Sequence, residues 1–207
     1  MKKCISLRRA ALLLLALALF AAALLSSCSS SVPDLTKDGV RATSDGVDFY
    51  FYVPKTWLID TETGIISAYV DTTDSTDMSN ISVTTFALPT GAPTTPQDYW
   101  AWEGNQQAFE VFTNFTLISS DSLVLDGFAA MKYVFTATLA GADYKYMQII
   151  CVKDGMVYIV TYTSTPDKFD GNMDDVNNMV STFRFKSGSG PLTAAADATG
   201  TSAAAGT

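Results

Sequence analysis

Four β-rich runs, 116–125, 129–139, 144–152 and 157–163, lie almost end to end in this chain. Turns built on Asp126-Gly127, Ala140-Gly141-Ala142 and Lys153-Asp154-Gly155-Met156 join them. Asp-Gly between such runs is a strong hairpin signal, because both central residues of a type I′ turn need positive φ. Strands joined by turns this short run antiparallel. The chain is thereby committed to an antiparallel meander, and every other element has to pack on it.

Upstream, Val47, Phe49, Phe51 and Val53 alternate with Asp48, Tyr50 and Tyr52, which predicts a strand that Pro54 ends. Residues 64–70 and 81–88 are further strand candidates, separated by the polar loop D-T-T-D-S-T-D-M-S-N. Thr95 then caps a helix, Pro96 suits its first position, and Asp98 sits where the helix dipole favours an acid. Tyr99, Trp102, Phe109 and Phe112 recur at helical spacing, so one stripe of that helix faces a core. A second helix starts near Pro166, with Thr165 as its cap and Phe169, Met173, Val176, Val180 and Phe183 as its apolar stripe. The expected class is α+β, an antiparallel β-sheet flanked by helices.

The amino-terminal segment has a different character. Lys2, Lys3, Arg8 and Arg9 precede or open an apolar run over 10–25, and no acid occurs before Asp34. That pattern reads as a secretory signal peptide. The run is 16 residues long, short of the roughly 20 needed to span a bilayer. Its end, Leu25-Ser26-Ser27-Cys28, resembles the lipobox of bacterial lipoproteins. The resemblance implies that the Cys28 thiol receives a diacylglyceryl group and that the chain is cut just before it. Several acyl chains are needed, since each buried methylene contributes about 0.8 kcal/mol and one chain alone binds only marginally. The expected organisation is a signal peptide over 1–27, a flexible tether over 28–45, a folded domain over 46–186 and a disordered Ser/Gly/Ala/Thr tail over 187–207. The expected location is the cell membrane, lipid-anchored and facing outside the cytoplasm.

Composition narrows the chemistry. The net charge is −8, and cleavage before Cys28 removes four cations and no acid, leaving −12. A body this acidic repels nucleic acid, so no such partner is expected. No histidine occurs, which removes Ser-His-Asp and Cys-His catalysis and His-ligated zinc. Cys4 leaves with the leader and Cys28 carries lipid, so Cys151 is left alone and no intrachain disulfide forms. Cys151 lies in M-Q-I-I-C-V and reads as a small buried hydrophobe.

Three stretches carry a second resemblance. They are Val53-Pro54-Lys55-Thr56-Trp57, Leu125-Asp126-Gly127-Phe128-Ala129 and the closing Y-T-S-T-P-D-K-F-D-G-N-M-D-D-V-N-N-M-V-S-T-F-R-F. With the layout over 47–185 they resemble the PsbP-like family, which includes the Mog-type proteins. The resemblance implies an α/β/α sandwich. Family members act mainly as accessory or binding subunits, one supporting the oxygen-evolving complex of photosystem II and another binding a small GTPase. The metal-site histidines of some relatives have no counterpart here.

Candidate chemistry is sparse. Asp71, Asp74 and Asp77 form D-x-x-D-x-x-D, a weak candidate for a hard cation, since the glycine and alternating spacing of an EF-hand loop are missing. Trp57 reads as a core anchor; Trp100, off the stripe of Tyr99 and Trp102, reads as an exposed contact. Glu103 and Glu110 read as solvated charges, with a glycosidase-like acid pair as the alternative. No catalytic residue and no cofactor are expected. The expected function is a non-enzymatic binding or assembly module, anchored through lipid, with an envelope protein as partner. The alternatives are a carboxylate-dependent cell-envelope hydrolase and an ion- or small-solute-binding lipoprotein.

Overall fold

The short turns adopt the geometry their residues require. In the computed structural model, which describes residues 33–44, 46–60 and 66–186, φ is 46° and 87° at Asp126 and Gly127. It is 52° and 85° at Ala140 and Gly141, and 51° and 74° at Asp154 and Gly155. Positive φ at both central residues is the type I′ signature, whose twist matches that of the strands it joins. The flanking pairs are Leu125 with Phe128, Leu139 with Ala142 and Lys153 with Met156.

In chain order the strands are β1 (Val40–Arg41), β2 (Phe49–Tyr50), β3 (Tyr52–Val53), β4 (Trp57–Asp60), β5 (Ile66–Val70), β6 (Asn80–Ala87), β7 (Thr113–Leu125), β8 (Phe128–Leu139), β9 (Ala142–Lys153), β10 (Met156–Ser164) and β11 (Arg184–Phe185). Helices are α1 (Leu35–Asp38), α2 (Pro96–Ala101), α3 (Glu103–Gln106) and α4 (Met173–Ser181). A seven-stranded, wholly antiparallel sheet runs β4-β5-β6-β10-β9-β8-β7. The meander supplies four adjacent strands, and β6 joins it by pairing Ile81 with Tyr162 and Val83 with Val160.

Alternation sends successive side chains to opposite faces. One face places Trp57, Ala68, Ile81, Met147, Ile149 and Val160 in a core with Val176 and Met179 of α4 and with Phe49, Phe51, Val53 and Phe183. Burying each Val, Ile, Met or Phe side chain among them contributes about 1.5–3 kcal/mol. On the other face Tyr133 and Ile150 meet Tyr99, while Phe135, Ala137 and Tyr146 meet Trp100, Phe109 and Phe112. Within the sheet, Ser79 just before β6 and Ser164 at the end of β10, both fully buried, share a 2.7 Å hydroxyl contact; towards the helical layer, Tyr162 donates to the Phe169 carbonyl at 3.1 Å.

Several expectations need correction. The segment expected as tether folds from its second half: Leu35 is buried, Val40 and Arg41 pair with Val53 and Tyr52, and Thr43 is buried. One apolar side chain is enough to dock a short helical turn, a signal that a serine-rich composition hides. The alternating run 47–53 is not a strand of the main sheet. It divides into β2, which pairs with β11, and β3, which pairs with β1, although Phe49, Phe51 and Val53 are all buried as expected. The helix expected from Thr95 onwards stops at Trp102, whose ψ of 136° is extended. The expected helix near Pro166 opens as a turn and a 3-10 stretch, Phe169–Asn172, before α4 begins.

Candidate interaction surface

Trp100 shows how the second face is built. The Thr95 hydroxyl accepts from the Asp98 amide at 3.2 Å and donates to its carboxylate at 2.7 Å, with Pro96 in the first turn, so α2 starts where the sequence says. The break at Trp102 then re-aims the chain. An alanine Cβ at Gly104 would lie 2.3 Å from the Trp102 ring, so this glycine admits the indole against its own backbone. Trp100, expected to be exposed, stacks on Tyr133 with ring centroids 3.8 Å apart and planes 10° apart. Asn105 and Gln106 both donate to the Trp100 carbonyl, freed by the interrupted helix. The aromatic face is thus spent on packing, and Glu103 and Glu110 lie exposed beside it.

Asp71, Asp74 and Asp77 do not converge. Asp74 accepts from Lys168 at 2.9 Å and from the hydroxyl and amide of Thr76, which holds its carboxyl well below the usual range. Asp77 accepts from the Ser79 amide at 3.0 Å. Among the described residues no three His, Cys, Asp or Glu side chains come together as a metal site. Trp57 is buried, with its indole N–H on Asp175. Cys151 is fully buried, and burial pushes its thiol up to about 11. Cys28 lies outside the described residues.

The aromatic segment covers only part of its face. At the β4–β5–β6 end, Asp60, Ser67, Tyr69, Asp77, Met78 and Asn80 line a hollow of about 420 Å³. Two carboxylates, a phenol ring and a thioether suit a small cationic or hydroxylated solute.

A larger feature lies at the opposite edge. β7 is thirteen residues long, and no described strand pairs with its outer side. Val124 is 68% exposed and Ile118 55%, and Phe115 and Leu117 are exposed with them. Just before the strand, Val111 is also open to solvent. Scattered exposed apolar residues are ordinary, whereas a run along one open edge makes this the candidate interaction surface. Sequence reasoning missed these residues, although two signals were present. Leu117-Ile118 breaks alternation where the pairing with β8 is irregular, between Leu117 and Ser119. Leu123-Val124-Leu125 cannot all face inward from a strand.

No family model matches the sequence, and no curated protein matches it either. Solved structures do. The crystal structure of LpqN, involved in cell envelope biogenesis of Mycobacterium tuberculosis, matches with a TM-score of 0.52 and 15% identity over 67% of this chain and 83% of that one. The solution structure of the cyanobacterial PsbP, CyanoP, from Synechocystis sp. PCC 6803 matches with a TM-score of 0.50 and 17% identity over 78% of this chain and 98% of that one. The fold is α+β and PsbP-like. Among the described residues, no helix is long and apolar enough to cross a membrane.

Proposed function

We propose that this protein is a non-enzymatic binding or assembly module, held on the outer face of the cytoplasmic membrane by lipid on Cys28. The observation that carries the binding role is the apolar run along the open edge of β7, where Val124, Ile118 and Leu117 stay exposed while Phe115 packs on Phe109 and Phe135. The likeness in fold to a protein of envelope biogenesis supports the setting. Tethering raises the effective concentration of the domain for partners at the same surface. A photo-crosslinking residue at Val124 in living cells tests the role, with the same residue at exposed Asp38 as control. A reproducible adduct from Val124 alone agrees with the proposal; no adduct from any exposed position contradicts it.

A second reading, capture of a small solute, draws on the hollow at Tyr69. A melting shift on adding small amines or sugars, lost in Tyr69→Ala, would favour it.

A further inference from the structure

Resting on the second reading, solute capture in the hollow at Tyr69, we infer that the solute is a small organic cation. Its ammonium group meets Asp60 and Asp77, and its hydrocarbon body lies on the ring of Tyr69 and the thioether of Met78.

The sheet places half of the lining. Ala68 is in the core, so its neighbours Ser67 and Tyr69 in β5 belong to the opposite face. Cross-strand pairing sets Asp60 of β4 opposite Ser67, and it sets Leu58 of β4 and Asn80 of β6 opposite Tyr69. Because β5 is hydrogen-bonded on both sides, these positions are fixed relative to one another. The loop before β6 contributes Asp77 and Met78, and it is pinned at three points. The Asp77 amide donates to the Asp74 carbonyl at 3.0 Å, the Ser79 amide to Oδ1 of Asp77 at 3.0 Å, and Nδ2 of Asn80 to the Met78 carbonyl at 2.8 Å. The hollow these residues line, about 420 Å³, falls in the range of roughly 300–1,000 Å³ that takes small molecules.

The lining itself selects the occupant. Its two charged residues, Asp60 and Asp77, are both acids. Lys168 feels the charge of Asp77 but gives its ammonium to Asp74 at 2.9 Å. An anion is repelled here, and a neutral solute leaves the acids unanswered. The net charge of −8 draws cations from longer range. A bare metal ion fits less well. Calcium takes about six to eight oxygen ligands, and among the described residues no three acidic side chains gather. The rest of the lining suits carbon. Tyr69 is 44% exposed and Met78 56%, with Leu58 exposed beside the ring. An aromatic face attracts a cation through its quadrupole, and a thioether adapts to an apolar chain. Carboxylates, ring and thioether together match an ammonium group on a short hydrocarbon body.

The test uses the full chain with Cys28→Ser and three probes that share one body: butylamine, butanol and butyrate. Glucose is the fourth probe. Binding is followed by amide NMR shifts and by titration. The expected result is that butylamine binds, shifts the amides of Tyr69 and Asn80, and loses affinity as salt rises. Butanol and butyrate bind several-fold more weakly. Asp77→Asn keeps an oxygen for the Ser79 amide, so it weakens butylamine several-fold without lowering the melting temperature. Tyr69→Leu weakens it roughly two- to fivefold, the size of a cation–π contact at an exposed site, and Tyr69→Phe does not. Butanol or butyrate binding as tightly as butylamine overturns the inference. So does butylamine binding that neither Asp77→Asn nor Tyr69→Leu changes, since that is attraction to the acidic body at large. Glucose bound in place of butylamine, with shifts at Tyr69, overturns the inference and leaves solute capture standing. Failure of all four probes overturns both.

Discussion

The indole N–H of Trp57 donates to Oδ2 of Asp175 across 3.1 Å, tying the edge strand β4 to the first turn of α4. The two residues are 118 apart in sequence, so this bond closes the sheet against its helical layer. Its donor belongs to a buried ring, and its acceptor is a carboxylate that also sits favourably at a helix start. Asp175→Ala leaves that N–H without its partner and is expected to cost about 1–3 kcal/mol. Asp175→Asn keeps an acceptor and should cost less. Urea unfolding followed by tryptophan fluorescence measures both, and equal, negligible losses would contradict the assignment.

Gly104 admits the Trp102 ring, and the ring marks the place where the helix breaks. Gly104→Ala would push Cβ into that ring. The expected cost is about 1–3 kcal/mol, the range for overpacking. A change in tryptophan emission, from displaced Trp102, should accompany the loss. Unaltered emission and stability would mean that the break has another cause.

Alkaline pH should weaken the fold. Burial raises Cys151 from 9.0 to about 11, so between these values the folded state keeps a proton that the unfolded chain has lost. Tyr146, whose hydroxyl is buried without a hydrogen-bond partner among the described residues, is raised to about 12, by burial first and Tyr144 second. Tyr158 is raised as well, by burial and then by its hydrogen bond to Asp48. A folded state that binds more protons loses stability as pH rises. Urea midpoints are therefore expected to fall from pH 9 upward. Cys151 should also resist thiol reagents at neutral pH until the protein unfolds.

Calcium should do little. The Asp74 carboxylate is occupied by Thr76 and Lys168, and Asp77 by the Ser79 amide. Millimolar Ca²⁺ is expected to leave the melting temperature unchanged, measured by differential scanning calorimetry. A clear rise, lost when Asp71, Asp74 and Asp77 are all changed to Asn, would contradict this.

What could be read from sequence followed from local rules. Asp126-Gly127 and Asp154-Gly155 require a particular backbone, so the meander was visible before any tertiary contact was known. Thr95-Pro96 marked the start of α2 for the same reason. The failures were at positions where tertiary packing overrides pattern. Helical spacing from Tyr99 to Phe112 is real as an apolar stripe, yet the fit of Trp102 over Gly104 interrupts the helix and brings Trp100 onto Tyr133. Alternation in 47–53 placed Phe49 and Phe51 inside correctly, but it cannot say which strand answers, and the partners lie at Val40–Arg41 and Arg184–Phe185. The open edge was missed because periodicity describes faces, whereas an edge depends on the order of strands in the sheet. The hollow at Tyr69 likewise needs β4, β5 and the loop before β6 side by side.

The tethered module stands or falls on what happens at Cys28, and intact-mass spectrometry of protein purified from the membrane fraction tests this most directly. The account predicts a chain beginning at Cys28 and heavier than its sequence by a diacylglyceryl group, with or without a further acyl chain. A mass matching the unprocessed chain from Met1 with a bare thiol at Cys28, in protein recovered from the cytosol, would contradict it.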